Sequence, residues 1–272
     1  MLELPEVLAY AKQLQTALQG KIIKKVYPPT NVHKLTWFHG DPEHYDAMLQ
    51  GKAFTTARGF GIVLELEFTD TYIAVDDGIR PRYLQASEEV PAKYQLLLEF
   101  TDQSKLVFTV MMYGGILAHK GDCTNEYYQT SISKKSILAE DYTIDDYFAV
   151  VRQTSDKLSA KAFLATEQRF PGLGNGVLQD ILFTAGINPK RKIATLTKEE
   201  LILLFHSMKE TLQIMCDLGG RDTEKDIFGH EGRYHTKLSS KTYKDGCSEC
   251  GGVIIKEAYM GGSVYYCPTC QK

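Results

Sequence analysis

The chain has 272 residues, 43% of them hydrophobic, enough for one large domain or two ordinary ones, and no apolar run approaches the roughly eighteen residues of a membrane span. Its net charge of −3 argues against a uniformly basic nucleic-acid binder, but residues 1–150 carry net −6 and residues 151–272 net +3, so a phosphate-binding surface is expected mostly on the C-terminal half. The start, Met1-Leu-Glu-Leu-Pro-Glu6, lacks the basic and apolar regions of a targeting peptide, and the isolated thiols Cys123 and Cys216 fit a reducing cytoplasm.

After Pro5, Val7, Ala11, Leu14 and Leu18 fall on one helical face and Gly20 follows as a stop, which predicts an amphipathic helix from Glu6 to Gln19. From Lys21 to Val110 the pattern turns to short apolar runs at Ile22 to Val26, Gly61 to Phe68, Tyr72 to Val75, Tyr94 to Phe100 and Lys105 to Val110. Thr69-Asp70 and Thr101 to Ser104 read as hairpin connections, and the whole as a β-sandwich behind the helix. The chain becomes polar around Ser131 to Asp141, where a domain boundary is placed. Helices follow at Ile144 to Lys157, Ser159 to Arg169, Asn175 to near Gly186, and Thr197 to Leu218, the last opened by the capping box Thr197-Lys-Glu-Glu200. Arg221 to Ser240 is polar and reads as a link to the C-terminal segment.

That segment carries the most specific chemistry. Cys247-Ser-Glu-Cys250 and Cys267-Pro-Thr-Cys270 are two CxxC steps on either side of an alternating run, Val253 to Tyr259, bracketed by glycine pairs. Two such steps on facing arms of a hairpin supply a four-thiolate set for a structural zinc with no open position for water. A pair of disulfides is the competing assignment. Upstream, Pro171-Gly-Leu-Gly-Asn-Gly176 lies between two predicted helices and presents backbone N–H groups at a helix start, where phosphate binds; a plain connection explains the same glycines.

The order of these features, Glu-Leu-Pro-Glu before a helix, a sandwich, Lys161 to Gln168 leading into Gly-Leu-Gly-Asn175, Ala185-Gly-Ile-Asn-Pro189 and a Cys₄ tail ending Tyr-Cys-Pro-Thr-Cys-Gln271, resembles the formamidopyrimidine-DNA glycosylase / endonuclease VIII family over the whole chain. The resemblance is dense from about Lys157 onward and thin through the sandwich. It implies an α+β fold with an N-terminal helix and β-sandwich in residues 1–137, a helix-two-turn-helix domain in 138–235, and a zinc-finger hairpin in 236–272. It also implies a monomeric base-excision-repair enzyme of the cytoplasm and nucleoid that clamps double-stranded DNA containing a damaged base or abasic site and flips the lesion out. Lys161, Gly174, Asn175 and Arg221 are then the DNA-binding candidates.

Departures from the family pattern concentrate at the chemistry. The family nucleophile is the amine of an N-terminal proline; Leu2 stands there, and Met1 is expected to be retained ahead of so large a residue. The Leu2 nitrogen is then an amide, and the free amine moves to Met1, ~3.5 Å along the chain. Glu3 keeps the position of the carboxylate that assists proton transfer and can serve a glycosylase without strand cleavage, while Glu6 is expected to pair with the helix N-terminus. Phe60 and Gly262 stand where the family places a lysine and an arginine on phosphates, so affinity and salt dependence are expected to be lower than in relatives. Val110-Met-Met-Tyr-Gly-Gly115 replaces the wedge loop, with its methionines expected to pack inside in preference to filling a vacated base space. Three functions compete on these grounds: a glycosylase with impaired or relocated strand cleavage, a non-catalytic DNA-binding relative, and a protein-interaction module suggested by the acidic N-terminal half.

Overall fold

The computed structural model describes residues 1–272, which divide into two compact units. The first comprises Met1–Ser133 together with Glu224–Glu231; the second comprises Lys134–Thr223 and Gly232–Lys272. The return of Glu224–Glu231 to the first unit corrects the expectation that the polar stretch after Arg221 serves only as a link.

In the first unit, helix α1 (Leu4–Ala17) has Pro5 in its opening turn, where a missing N–H costs no intrahelical bond, and ends before Gly20 at φ 75°. It buries Val7, Tyr10, Ala11 and Leu14 against the sandwich. Strands β1 (Ile23–Tyr27), β2 (Thr36–His39), β3 (Phe54–Phe60), β4 (Val63–Phe68), β5 (Thr71–Val75), β6 (Ile79–Leu84), β7 (Leu96–Phe100), β8 (Lys105–Val110) and β9 (Gly114–Lys120) form two sheets. Their orders are β1-β7-β8-β6 and β2-β9-β5-β4-β3. Phe100, Leu106 and Phe108 from one sheet and Leu64, Phe68, Ile73 and Ile116 from the other share one buried core, as period-2 alternation on two facing sheets requires. Short helices α2 (Tyr45–Leu49) and α3 (Glu126–Ser133) complete the unit. Two expected hairpins, at Thr69-Asp70 and Thr101 to Ser104, connect β4 to β5 and β7 to β8.

In the second unit, α4 (Ile144–Gln153), α5 (Ala160–Ala165), α6 (Val177–Thr184) and α7 (Lys198–Asp217) surround the buried rings of Tyr147, Phe163, Phe170 and Phe205, whose centroids lie 5.2–6.0 Å apart in the contacting pairs. Helix α7 opens with the expected capping box: the Thr197 hydroxyl accepts from Glu200 N, and the Thr197 N–H donates to the Glu200 carboxylate. Strands β10 (Ile255–Tyr259) and β11 (Gly262–Tyr266) form the terminal hairpin, turning on Met260 and Gly261, both at positive φ.

One buried acid sets a pH dependence. The Asp180 carboxylate, on α6, accepts from Lys237 N and Leu238 N at 2.8 Å each, yet burial pushes its carboxyl up to about 6. A folded value above the unfolded ~3.9 means that the native state holds the extra proton, so this group's contribution to stability falls as pH rises from about 4 to 6, by about 3 kcal/mol at most. Asp180→Asn is expected to be less stable overall, since its amide NH₂ would replace one carboxylate oxygen and face a backbone donor. It should also lose that slope, as read from urea midpoints taken across the same pH range.

Candidate active site and metal centre

Glu3 caps α1 from extended backbone, φ −129° and ψ 170°, and its carbonyl accepts from Val7 N. Its side chain makes no N-cap hydrogen bond to α1. Only 4% of the residue is exposed. Glu6, in the first turn, is equally buried beside Tyr10, whose phenol is pushed well above its usual range by burial and by the Glu6 charge.

The Leu2 N–H donates to the Asp77 carbonyl at 2.6 Å, which fixes this nitrogen as a buried amide donor with no free lone pair. The Met1 amine lies 3.0 Å from the Glu224 carboxylate, which also pairs with the Arg80 guanidinium. Around it, the Tyr10 hydroxyl donates to the Lys225 carbonyl, Gln13 donates to Asp226, and Ile227 is buried in the sandwich core. Glu224 and Arg80 belong to the N-terminal site and were not among the sequence candidates. The contact of Glu224 with Met1 spans most of the chain, Arg80 joins the site through Glu224, and the composition around Glu224 reads as an ordinary polar linker.

The Asp76-Asp77-Gly78 turn is clamped to the loop after β8. Gly78 N donates to the Tyr113 carbonyl and Met111 N to the Gly78 carbonyl, both at 2.8 Å. A Cβ on Gly78 would sit 2.0 Å from the Met111 carbonyl oxygen, so only glycine permits this approach. Met111 and Met112, expected from sequence to pack inside, are instead exposed, Met112 by 63% and at φ 75°. The physical reason is the clamp: backbone bonds to Gly78 hold the loop as a tight turn, which projects the two side chains outward.

In the second unit the expected DNA-binding residues meet the terminal hairpin. The Lys161 ammonium donates to the Tyr259 carbonyl, and with the residue only 4% exposed, burial lowers its affinity for the proton. Asn175 Nδ2 donates to the Ser263 carbonyl at 3.0 Å, joined there by Gln179 Nε2 at 3.1 Å. Gly262 abuts Asn175, whose side chain would lie 3.3 Å from any Cβ added there. Lys161, Asn175 and the position of the missing arginine are therefore brought to one junction of α5, α6 and the hairpin. Gly174 is half-buried at the same loop. Arg221, the fourth DNA-binding candidate, is 3% exposed and bridged through its backbone to Tyr234.

The four cysteine sulfurs of Cys247, Cys250, Cys267 and Cys270 all lie within 4.8 Å of one another, with Cys247 to Cys270 at 3.7 Å and Cys250 to Cys267 at 3.5 Å. Tetrahedral coordination at a metal–sulfur distance of ~2.3 Å places sulfurs about 3.8 Å apart, and a disulfide requires about 2.05 Å. The set fits a shared ion. Cys270 N donates to the Cys267 sulfur at 3.5 Å, and Gln271, beside the last cysteine, ties the tail back by donating to the Ile187 carbonyl.

No family model matches the chain. Among curated proteins it is 28% identical over 283 residues to the formamidopyrimidine-DNA glycosylase of Listeria monocytogenes serovar 1/2a, with 100% of each chain covered. It is 25% identical to that of Brevibacillus brevis, covering 100% of this chain and 99% of the relative. Among solved structures, the Lactococcus lactis Fpg in complex with DNA containing an abasic site superimposes with a TM-score of 0.86 at 22% identity, over 99% of both chains. This likeness establishes the fold. No helix is long and apolar enough to cross a membrane.

Proposed function

We propose, from the premise that this chain belongs to the formamidopyrimidine-DNA glycosylase / endonuclease VIII family, that it is a base-excision-repair glycosylase that hydrolyses the N-glycosidic bond of a damaged base and has lost strand cleavage. The observation that carries this is the state of the first three residues. Leu2 nitrogen is an amide bonded to Asp77, the Met1 amine is paired with Glu224, and Glu3 keeps a carboxylate that does not cap its helix.

In this scheme Glu3 is the general base. It takes a proton from a water as the water oxygen attacks C1′, and the bonding pair of the glycosidic bond leaves with the base. A Schiff base would need a neutral amine at the sugar, and the Met1 amine is held in an ion pair with Glu224. Borohydride reduction of the protein with abasic-site DNA is therefore expected to trap no covalent adduct, with intact mass confirming that Met1 is present; a trapped adduct at the Met1 amine would restore the lyase.

Double-stranded DNA with a damaged base or abasic site is the partner, bound by a monomer in the cytoplasm and nucleoid. The Gly174-Asn175 loop offers the phosphate contact, Lys161 positions that loop through the hairpin, and Cys247, Cys250, Cys267 and Cys270 would hold a structural zinc that orders the finger. With Phe60 and Gly262 supplying no charge, the slope of log affinity against log salt is expected to be shallower by about two than in a relative carrying both cations. A second reading, a non-catalytic damage-binding relative, is favoured by the same loss of the proline amine. Release of a free base from any member of a lesion panel excludes it.

A further inference from the structure

A cavity of about 420 Å³ opens in the first unit, lined by Trp37, Phe38, Asp76, Asp77, Tyr113 and Tyr127 among others. Its walls are aromatic: Trp37 and Tyr113 have centroids 6.1 Å apart and planes inclined by 59°, and Trp37 is 56% exposed at the edge of the space. Its polar lining includes two carboxylates, Asp76 and Asp77, beside His39 and Asn125. The Asp76 carboxylate is satisfied by Gly115 N at 2.6 Å, whereas Asp77 has only the Tyr127 hydroxyl, at 3.5 Å. No lysine or arginine lines the cavity. Burial and the neighbouring Asp76 push the Asp77 carboxyl up to about 6, offset in part by the Met1 amine. The volume admits a nucleobase with room to spare, and the two carboxylates repel phosphate.

Aromatic faces with a carboxylate, and no lysine or arginine among them to pair with it, are the chemistry that recognises a cation with a flat body. The cavity adjoins the N-terminal site, because the residue whose carbonyl receives the Leu2 N–H is Asp77 itself. Resting on the glycosylase function above, we propose that this cavity takes a positively charged planar heterocycle, a ring-alkylated purine, between its aromatic walls and the Asp77 carboxylate.

Such a substrate explains what the chain has discarded. A cationic purine is its own leaving group: when water attacks C1′ and the C1′–N bond breaks, the bonding pair neutralises the ring. The base departs uncharged, C1′ gains a hydroxyl, and the water's proton goes to Glu3. Neither a proline nucleophile nor protonation of the leaving base is required.

The chain's single tryptophan, Trp37, reports occupancy directly. Titration of its emission at pH 7 with 1-methyladenosine, a cation there, is expected to show binding at least ten-fold tighter than with neutral adenosine, and Asp77→Asn should abolish the preference. Asn tolerates the left-handed backbone of Asp77, φ 51°, so the variant keeps the turn. Equal response to both nucleosides, or an unchanged preference in Asp77→Asn, overturns the proposal. Duplexes carrying 7-methylguanine or neutral 8-oxoguanine form the second arm, with base release expected from the first only. Cation-selective binding without release of any base would keep the pocket and reject the glycosylase; release of 8-oxoguanine without cation preference would do the reverse.

Discussion

Glu3→Gln is expected to slow base release by ~10²–10⁴-fold, the usual contribution of a positioned general base, equivalent to about 3–5 kcal/mol of barrier. The substitution is nearly isosteric, and the backbone carbonyl of residue 3 still accepts from Val7 N, so α1 and the fold should survive. What disappears is the ability to accept a proton. Single-turnover release from lesion duplexes measures the loss, and gel-shift affinity for the same duplexes should stay within about two-fold, since the change touches no proposed phosphate contact. A Glu3→Gln protein that releases base at the wild-type rate would remove this carboxylate from the chemistry and leave the N-terminal site without a base.

Removal of the metal should have the larger effect on architecture. One zinc per chain is expected by elemental analysis, lost in Cys267→Ser or on chelation. The hairpin of β10 and β11 is a two-stranded element, marginal on its own, and its small core consists of Cys247, Ile254, Tyr265 and Cys267 against Leu238 and Phe183. Four thiolates on zinc contribute apparent binding energies of ~10–16 kcal/mol in small fingers, far more than that core can replace. The loss should spread, because Lys161, Asn175 and Gln179 all donate to hairpin carbonyls and would lose those bonds. Hydrogen exchange is expected to rise in residues 247–272 and at the start of α6, with DNA affinity falling in step. Retained protection there after complete zinc loss would show that the hairpin stands without its ion.

Helix α1, the capping box of α7, the two hairpin connections and the four-cysteine set were legible because each depends on residues close in sequence. Strands β2, β3 and β6 were not. All three lie at sheet edges, where one flank of the backbone has no neighbouring strand and the sequence pattern is less constrained. Pro81 interrupts β6, a position tolerated only because an edge strand can spare an N–H. Strand β9 was hidden by Gly114-Gly115, which read as loop but lie where the strand crosses the Asp76 carboxylate. At the site, Glu3 and the cysteines could be found from motifs. Glu224, Arg80 and Asp77 could not, since they become neighbours of the chain start only through the tertiary fold.

The return of residues 224–231 to the sandwich bears on how the protein is made. Met1, Tyr10 and Gln13 find their partners in Glu224, Lys225 and Asp226, and Ile227 fills part of the core. A nascent chain that has just emerged through Ser133 therefore lacks a strip of its own first lobe. At ~5–20 residues per second, the ribosome needs about 5–20 further seconds to deliver it. The amino terminus thus waits, incompletely seated, for a segment translated some ninety residues after the rest of its lobe, and arrival of that segment becomes the step that closes the N-terminal site.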